Sequence, residues 1–347
     1  MNPIDFPAID SHVHIRDHHC LPYMQDYRVQ HHFEAVNIAC LAKNPLNNPL
    51  ENILAALLKL NDPHFYAHAT LLYPDGPISD QLFAQQAEND FAIGFDGIKM
   101  LEGKPTMRKK TGLPLDDPVY EPYFSFMEEN GHHIIWHVAD PETFWDKDKA
   151  PAFSFSEGWF YGDGSYPSKQ QLYEEVSHVL ARHPKLNVTF AHFFFLSDFP
   201  EEAEALMQQY QTVTLDITPG REMYENFSKR PAYWRDFFHR YADRILFGTD
   251  MTRMETQGSA SDLIAAMKRF LATEDVFSYW DFNIRGLGLS QADCTRIGKI
   301  NFTDRVRPSP RPIDPKALRT YIDRQIDAVP DRKEQEFILH QCRLSGL

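Results

Sequence analysis

The sequence predicts an α/β protein built as a (β/α)8 TIM barrel with a C-terminal helical extension. Three observations predict it. Short apolar runs alternate with helix-patterned segments along most of the 347 residues, the arrangement that yields a parallel sheet. Eight such runs can be counted, enough to close the sheet on itself. An open doubly wound sheet is the competitor, but no G-x-G-x-x-G or G-x-x-x-x-G-K-[ST] follows the first run.

The strands are expected at 8–15, 35–41, 65–73, 95–101, 132–138, 187–193, 212–218 and 244–249. Between them, 48–60 carries Ile53, Leu54, Leu57, Leu58 and Leu60 at the spacing of one helix face. Helices are also expected at 78–90, 119–130 (stopped by Gly131), 168–183 (from Ser168 to Pro184), 199–210, 231–241 and 263–272. The weakest unit is 20–32, where helical periodicity is poor. Residues 1–305 thus form the barrel domain. Beyond Phe302, RVRPSPRPIDP reads as a proline-rich connector, and 314–328 and 331–344 as two helices. The segment 306–347 is expected to pack on the barrel or on a partner subunit.

With 43% hydrophobic and 24% charged residues, a large core is expected. A net charge of −14 argues against nucleic-acid and anionic-membrane surfaces, which need basic patches. No run of about 20 apolar residues suggests a membrane span, and MNPIDFPAID lacks the pattern of a signal peptide. Cys20, Cys40, Cys294 and Cys342 lie far apart without a C-x-x-C pair and read as free thiols. A cytoplasmic enzyme acting on a small molecule, and forming a homo-oligomer (a dimer by preference), is the expectation.

Barrels of this kind place their chemistry at the C-terminal ends of the strands. DSHVH puts His12 and His14 two apart at the end of the first strand, and side chains two apart on a strand share a face. Lys99 nears the end of the fourth strand, His137 follows the apolar HHIIW, His192 follows NVTFA, and Asp250 follows ILFGT. Any one of these could be a turn former or a satisfied core residue. Together they would meet at one end of one barrel. His12, His14, His137 and Asp250 supply three imidazole nitrogens and a carboxylate, a donor set suited to one catalytic zinc ion, with manganese as the alternative. Asp250 is then a ligand, a base for water, or both, and His192 orients water or acts as a general acid. Asp10 is expected deeper in the barrel, as a partner for an imidazole N–H.

These segments (DSHVH, GIKM, WHVADP, TFAHFF and LFGTD) resemble the amidohydrolase superfamily, in particular its "amidohydrolase 2" branch, over about residues 8–303. That branch holds metal-dependent hydrolases and non-oxidative decarboxylases of the aminocarboxymuconate-semialdehyde decarboxylase type. The resemblance implies His12, His14 and His137 as ligands, His192 as a catalytic histidine and Asp250 as ligand or base. In binuclear relatives a carboxylated lysine at the Lys99 position bridges two metals. One metal is the usual arrangement in this branch and the expectation here, with Lys99 holding an anionic part of the substrate. Several decarboxylases of the branch carry Glu in place of the first histidine of HxH; this chain has His12.

The loop 139–167 is dense in aromatics, among them Trp159 and Tyr161, and reads as a lid or as a plug. Arg221 can pair with a substrate carboxylate or with Glu222 or Glu225. The leading expectation is hydrolysis of a small carboxylated or cyclic ester, lactone or amide by metal-activated water. Decarboxylation or hydration at the same metal is the alternative, and a non-catalytic binding barrel the remote one.

Overall fold

The computed structural model describes residues 6–220, 222–251, 257–279 and 281–347. In chain order its first half contains β1 (Ile9–Val13), α1 (Cys20–Gln30), β2 (Ala35–Ala39), α2 (Leu50–Asn61), β3 (Phe65–Thr70), α3 (Leu82–Ile93), β4 (Gly97–Gly103), α4 (Pro105–Thr111), α5 (Glu121–Glu129) and β5 (His133–Val138). There follow α6 (Ala152–Ser156), α7 (Lys169–Arg182), β6 (Asn187–Phe190), α8 (Pro200–Gln209), β7 (Val213–Asp216), α9 (Met223–Lys229), α10 (Pro231–Arg240) and β8 (Ile245–Leu246). The remainder is α11 (Gln257–Ala272), the hairpin β9 (Val276–Tyr279) and β10 (Phe282–Arg285), then α12 (Gln291–Thr295), α13 (Asn301–Arg305), α14 (Pro315–Gln325) and α15 (Arg332–Leu344).

Strands β1 to β8 lie in sequence order in one parallel sheet. The sheet closes where the chain after β8 meets β1: Ser11 N donates to Phe247 O (3.0 Å), Asp250 N to His12 O (2.9 Å) and His14 N to Met251 O (2.9 Å). The expected (β/α)8 barrel is therefore the observed one. The hairpin β9–β10 has no counterpart in the sequence reading, and the helix expected at 263–272 begins earlier, at Gln257.

Inward-facing side chains form layers. An apolar plug of Ile9, Ala35, Tyr66, Leu246 and Phe302 fills the N-terminal end. Above it runs a buried polar ladder: Asn37 Oδ1 to His68 Nδ1 (2.8 Å), His68 Nε2 to His133 Nδ1 (2.8 Å), His133 Nε2 to Thr189 Oγ1 (2.7 Å) and Thr189 Oγ1 to Thr214 Oγ1 (2.6 Å). Residue 97 must be glycine here, because a Cβ would run into the His68 ring and the His133 carbonyl. The top layer contains His12, Lys99, His137 and Asp216.

Helix α2 is buried along most of its length, from Leu50 to Lys59. The barrel covers one side; α14 and α15 cover the other. The chain reaches them through backbone anchors: Tyr66 Oη donates to Arg307 O (3.0 Å), and Arg311 N donates to Asp96 Oδ1 (2.8 Å). His18 Nδ1 and Glu334 Oε1, 2.8 Å apart, tie α15 to the loop before α1. No helix among the described residues is long and apolar enough to cross a membrane.

The ladder makes two predictions. His133→Ala takes one partner from each of two buried groups, leaving His68 Nε2 bare and Thr189 Oγ1 only Thr214, and is expected to cost about 2–4 kcal/mol in urea denaturation; a loss under about 0.5 kcal/mol would show the ladder to be dispensable. Burial also lowers the His133 imidazole from 6.5 to about 3. Between those values the unfolded chain binds a proton that the folded one refuses, so this stabilisation is complete above 6.5 and is lost as pH falls toward 3. The denaturation midpoint should drop over that window, and drop less in His133→Gln.

Candidate metal centre and active site

Strand β1 does not run straight to its histidines. Its register steps from Asp10 opposite Val36 to Val13 opposite Ile38, three residues against two, which is a bulge. The bulge puts Asp10 and Val13 on the helix-facing side and His12 inside. The sequence expectation that Asp10 shares the face of His12 and serves an imidazole is corrected accordingly. Asp10 instead accepts from Tyr27 Oη (2.7 Å), Thr249 Oγ1 (2.6 Å), Thr249 N (3.0 Å) and His12 N (3.3 Å). It fastens β1 to α1 and to the FGTD turn after β8. Gly248 in that turn leaves room for His12: a Cβ would lie 2.8 Å from His12 Cβ and 2.8 Å from Thr218 Oγ1.

The imidazole partner is Asp216, at the end of β7. Its Oδ2 is 2.9 Å from His12 Nδ1, and its Oδ1 accepts from His192 N (2.8 Å) and Thr218 N (3.1 Å). His14 Nδ1 lies 2.5 Å from the Ala39 carbonyl oxygen. These acceptors assign both Nδ1 protons, which leaves both Nε2 lone pairs free. They face Asp250 Oδ1, at 2.9 Å from His14 Nε2 and 3.9 Å from His12 Nε2. His12, His14 and Asp250 thus present one donor atom each, all within 4.8 Å of one another. Lys99 Nζ sits 2.9 Å from His12 Nε2 and brings positive charge to this spot. Three electron pairs converging on one point fit a divalent metal ion.

Burial, with the nearby Lys99, holds the His12 imidazole well below its ordinary value, so it is neutral and able to ligate. Burial works to raise the Asp250 carboxyl, but the neighbouring His14, His192 and His12 imidazoles hold it well below the usual carboxylate range. Lys99, fully buried beneath these groups, is lowered by burial to about 8.

His137 and His192 stand across the opening from this trio. Their ring centroids are 4.8 Å apart. His137 Nε2 lies 3.4 Å from Asp140 Oδ1, outside the three-residue donor cluster. His192 Nδ1 is 3.2 Å from the Thr218 carbonyl oxygen, which makes Nε2 its free acceptor. Burial lowers both imidazoles to about 4.

The backbone that carries His192 is strained. His192, Phe193, Phe194 and Phe195 all have positive φ, at 55°, 55°, 55° and 51°, a conformation costing roughly 1–2 kcal/mol per non-glycine residue. The sequence reading extended β6 to 193; the strand ends at Phe190 and this left-handed turn replaces its last residues. Packing holds the turn in place. The Phe193 ring stacks on Phe238 at 5.6 Å, and Phe194 stacks on Phe190 at 4.1 Å and on Tyr173 at 4.4 Å. Phe195 is left facing His137 and His192.

A cavity of about 360 Å³ opens above these groups, reaching Asp250, His192 and His137 and walled by Phe144, Phe153, Trp159 and Phe195. The 139–167 loop supplies three of those aromatics. It is fastened at Asp140, which accepts from Tyr161 Oη (2.6 Å) and Lys104 Nζ (2.8 Å). Lys104 also lies 4.4 Å from the Trp159 ring centroid. Trp159 therefore lines the cavity, whereas Tyr161 is buried beneath its wall. Lys99 lies on the floor, against His12, and Arg221 lies outside the described residues.

The sequence reading passed over Asp216 and Asp140. Asp216 carried the same signal as its neighbours, a lone polar residue ending an apolar run in VTLD. Asp140 was hidden inside the loop.

An amidohydrolase family model matches residues 9–301. No curated protein matches the sequence at a significant level. Among solved structures, the chain is similar to 4-oxalomesaconate hydratase from Rhodopseudomonas palustris, with 11% identity and a TM-score of 0.55 over 92% of this chain and 99% of that one. It is similar to an uncharacterised TIM-barrel protein from Bordetella bronchiseptica, with 14% identity and a TM-score of 0.54 over 86% of this chain and 98% of that one. It is also similar to 5-carboxyvanillate decarboxylase from Novosphingobium aromaticivorans, complexed with manganese and a nitrobenzoic acid, with 12% identity and a TM-score of 0.52 over 88% of this chain and 97% of that one. At these identities the likeness is one of fold.

Asp216 offers a test of the centre that does not depend on turnover. Asp216→Ala leaves His12 Nδ1 only the Thr218 hydroxyl, 3.2 Å away, and is expected to weaken divalent-metal affinity about 10–100-fold, measured by competition with a chromogenic chelator. Unchanged affinity would mean that His12 is not a ligand.

Proposed function

The chain belongs to the amidohydrolase family, and from that premise we propose that it is a metal-dependent hydrolase of a small cyclic or carboxylated ester, lactone or amide. One observation carries the reading. The Asp250 carboxylate, with one oxygen 2.9 Å from His14 Nε2, is 30% exposed in its side chain and opens into the same cavity as His192. A base for water and an acceptor to orient it stand on opposite sides of one small space.

His12, His14 and Asp250 would hold a zinc or manganese ion, which would supply Lewis acidity and make water easier to deprotonate at neutral pH. The other steps belong to the protein. Asp250 takes the proton from the attacking water and returns it to the leaving oxygen or nitrogen. His192, with Nδ1–H turned to Thr218, accepts an O–H of that water at Nε2 and aims its oxygen at the carbonyl. Phe144, Phe153, Phe195 and Trp159 hold a flat substrate body and exclude bulk water. Lys104, the one cation lining the cavity among the described residues, receives a substrate carboxylate. Tyr161 keeps Asp140 in place beneath Lys104.

Asp250→Asn is expected to lower kcat about 10²–10⁴-fold on a cognate lactone, ester or amide, with the fold unchanged by circular dichroism. A screen of the metal-loaded protein against lactones, esters, amides and aromatic or unsaturated acids tests the class. Hydrolysis products support the reading. Release of CO₂ from an acid, with no hydrolysis of any member of the panel, would replace it with decarboxylation.

A further inference from the structure

A separate cavity of about 670 Å³ lies on the outside of the barrel, between α2 and α3 on one side and α14 on the other. Its walls are largely apolar, with Leu72, Leu82, Ile93 and Ala317 among them. Its polar groups are mostly engaged elsewhere: Asn52 Nδ2 donates to Thr70 O (3.0 Å), Gln86 Nε2 to Leu72 O (2.7 Å) and Tyr73 Oη to Glu102 Oε1 (2.8 Å). Lys316 and Arg324 stand at the exposed rim.

Asp90 is different. It lines the cavity and is only 3% exposed. Its carboxyl group has no hydrogen-bond or ion-pair partner among the described residues, and burial alone acts on it, pushing it well above the usual range. It also sits in the last turn of α3, where the helix dipole opposes negative charge. A buried acid with neither partner nor dipole support costs stability. Leucine or asparagine there would fold at less cost.

We propose that this cavity binds a small primary ammonium compound with an apolar body, and that Asp90 receives the ammonium group. The N–H groups donate to the carboxylate in a charge-assisted pair sheltered from water, while the body fills the space between α3 and α14. The site is incomplete without α14, which gives the C-terminal extension a role beyond covering α2.

Calorimetric titration of the full chain with phenethylamine tests this, with 2-phenylethanol as the uncharged control. The expected result is saturable one-to-one binding with a Kd below about 1 mM. The alcohol, the Asp90→Asn variant and the Ala317→Trp variant, which fills the cavity from α14, should each bind roughly tenfold more weakly or worse. Asp90→Asn should also raise the melting temperature of the unliganded protein by about 2 °C or more, whereas a structural carboxylate would lower it. Should Asp90→Asn not fold, Ala317→Trp carries the test. Absence of saturable binding, equal binding of the alcohol, unchanged affinity in the variants or a lowered melting temperature would each overturn the proposal.

Discussion

The active end of this barrel depends on one carboxylate, that of Asp216. Through Oδ2 it fixes the His12 ring, and through Oδ1 it takes the backbone N–H of His192. One side chain therefore sets both the tautomer of a ligand and the start of the turn carrying the opposing histidine. Without it His12 Nδ1 keeps only the Thr218 hydroxyl, 3.2 Å away, which can donate as well as accept, and Nε2 need not be the free nitrogen. Such partners commonly govern metal sites as strongly as the ligands themselves.

The same bond explains how a costly backbone survives. Four consecutive residues in the left-handed region strain the turn by several kcal/mol in aggregate. Asp216 anchors its first N–H, while stacked aromatic rings bury Phe193 and Phe194. The outcome is a histidine raised over the barrel mouth with little freedom to move. The layers beneath serve the same end. The His68–His133 ladder satisfies every ring nitrogen of that pair, so the middle of the barrel is polar yet rigid, and the donor cluster rests on a floor that does not give.

Much of this was legible in the chain because strand burial writes itself as uninterrupted apolar residues. NVTFA, VTL and HIIW each read as strands, and the polar residue after each (His192, Asp216 and His137) marks where the strand leaves the core. His12, His14 and Asp250 came out of that rule and do converge. The rule failed where the backbone departs from its regular period. A bulge in β1 sent Asp10 to the helices, and the left-handed turn ended β6 three residues early. Neither has a glycine or proline to announce it. Asp216 was legible by the same rule but went unread, since its role depends on two residues more than 20 positions away in sequence.

By itself the sequence determined the barrel, its eight strands and the convergence of a His-x-His pair with a distant aspartate, because alternation and strand ends are local properties. Only the tertiary structure decided which nitrogen of each imidazole is free, which carboxylate serves His12 and which stays bare in a cavity. Those outcomes turn on hydrogen bonds and burial across elements far apart in the chain. Asp216 and Asp90 look alike as letters; among the described residues one is surrounded by N–H donors and the other by none.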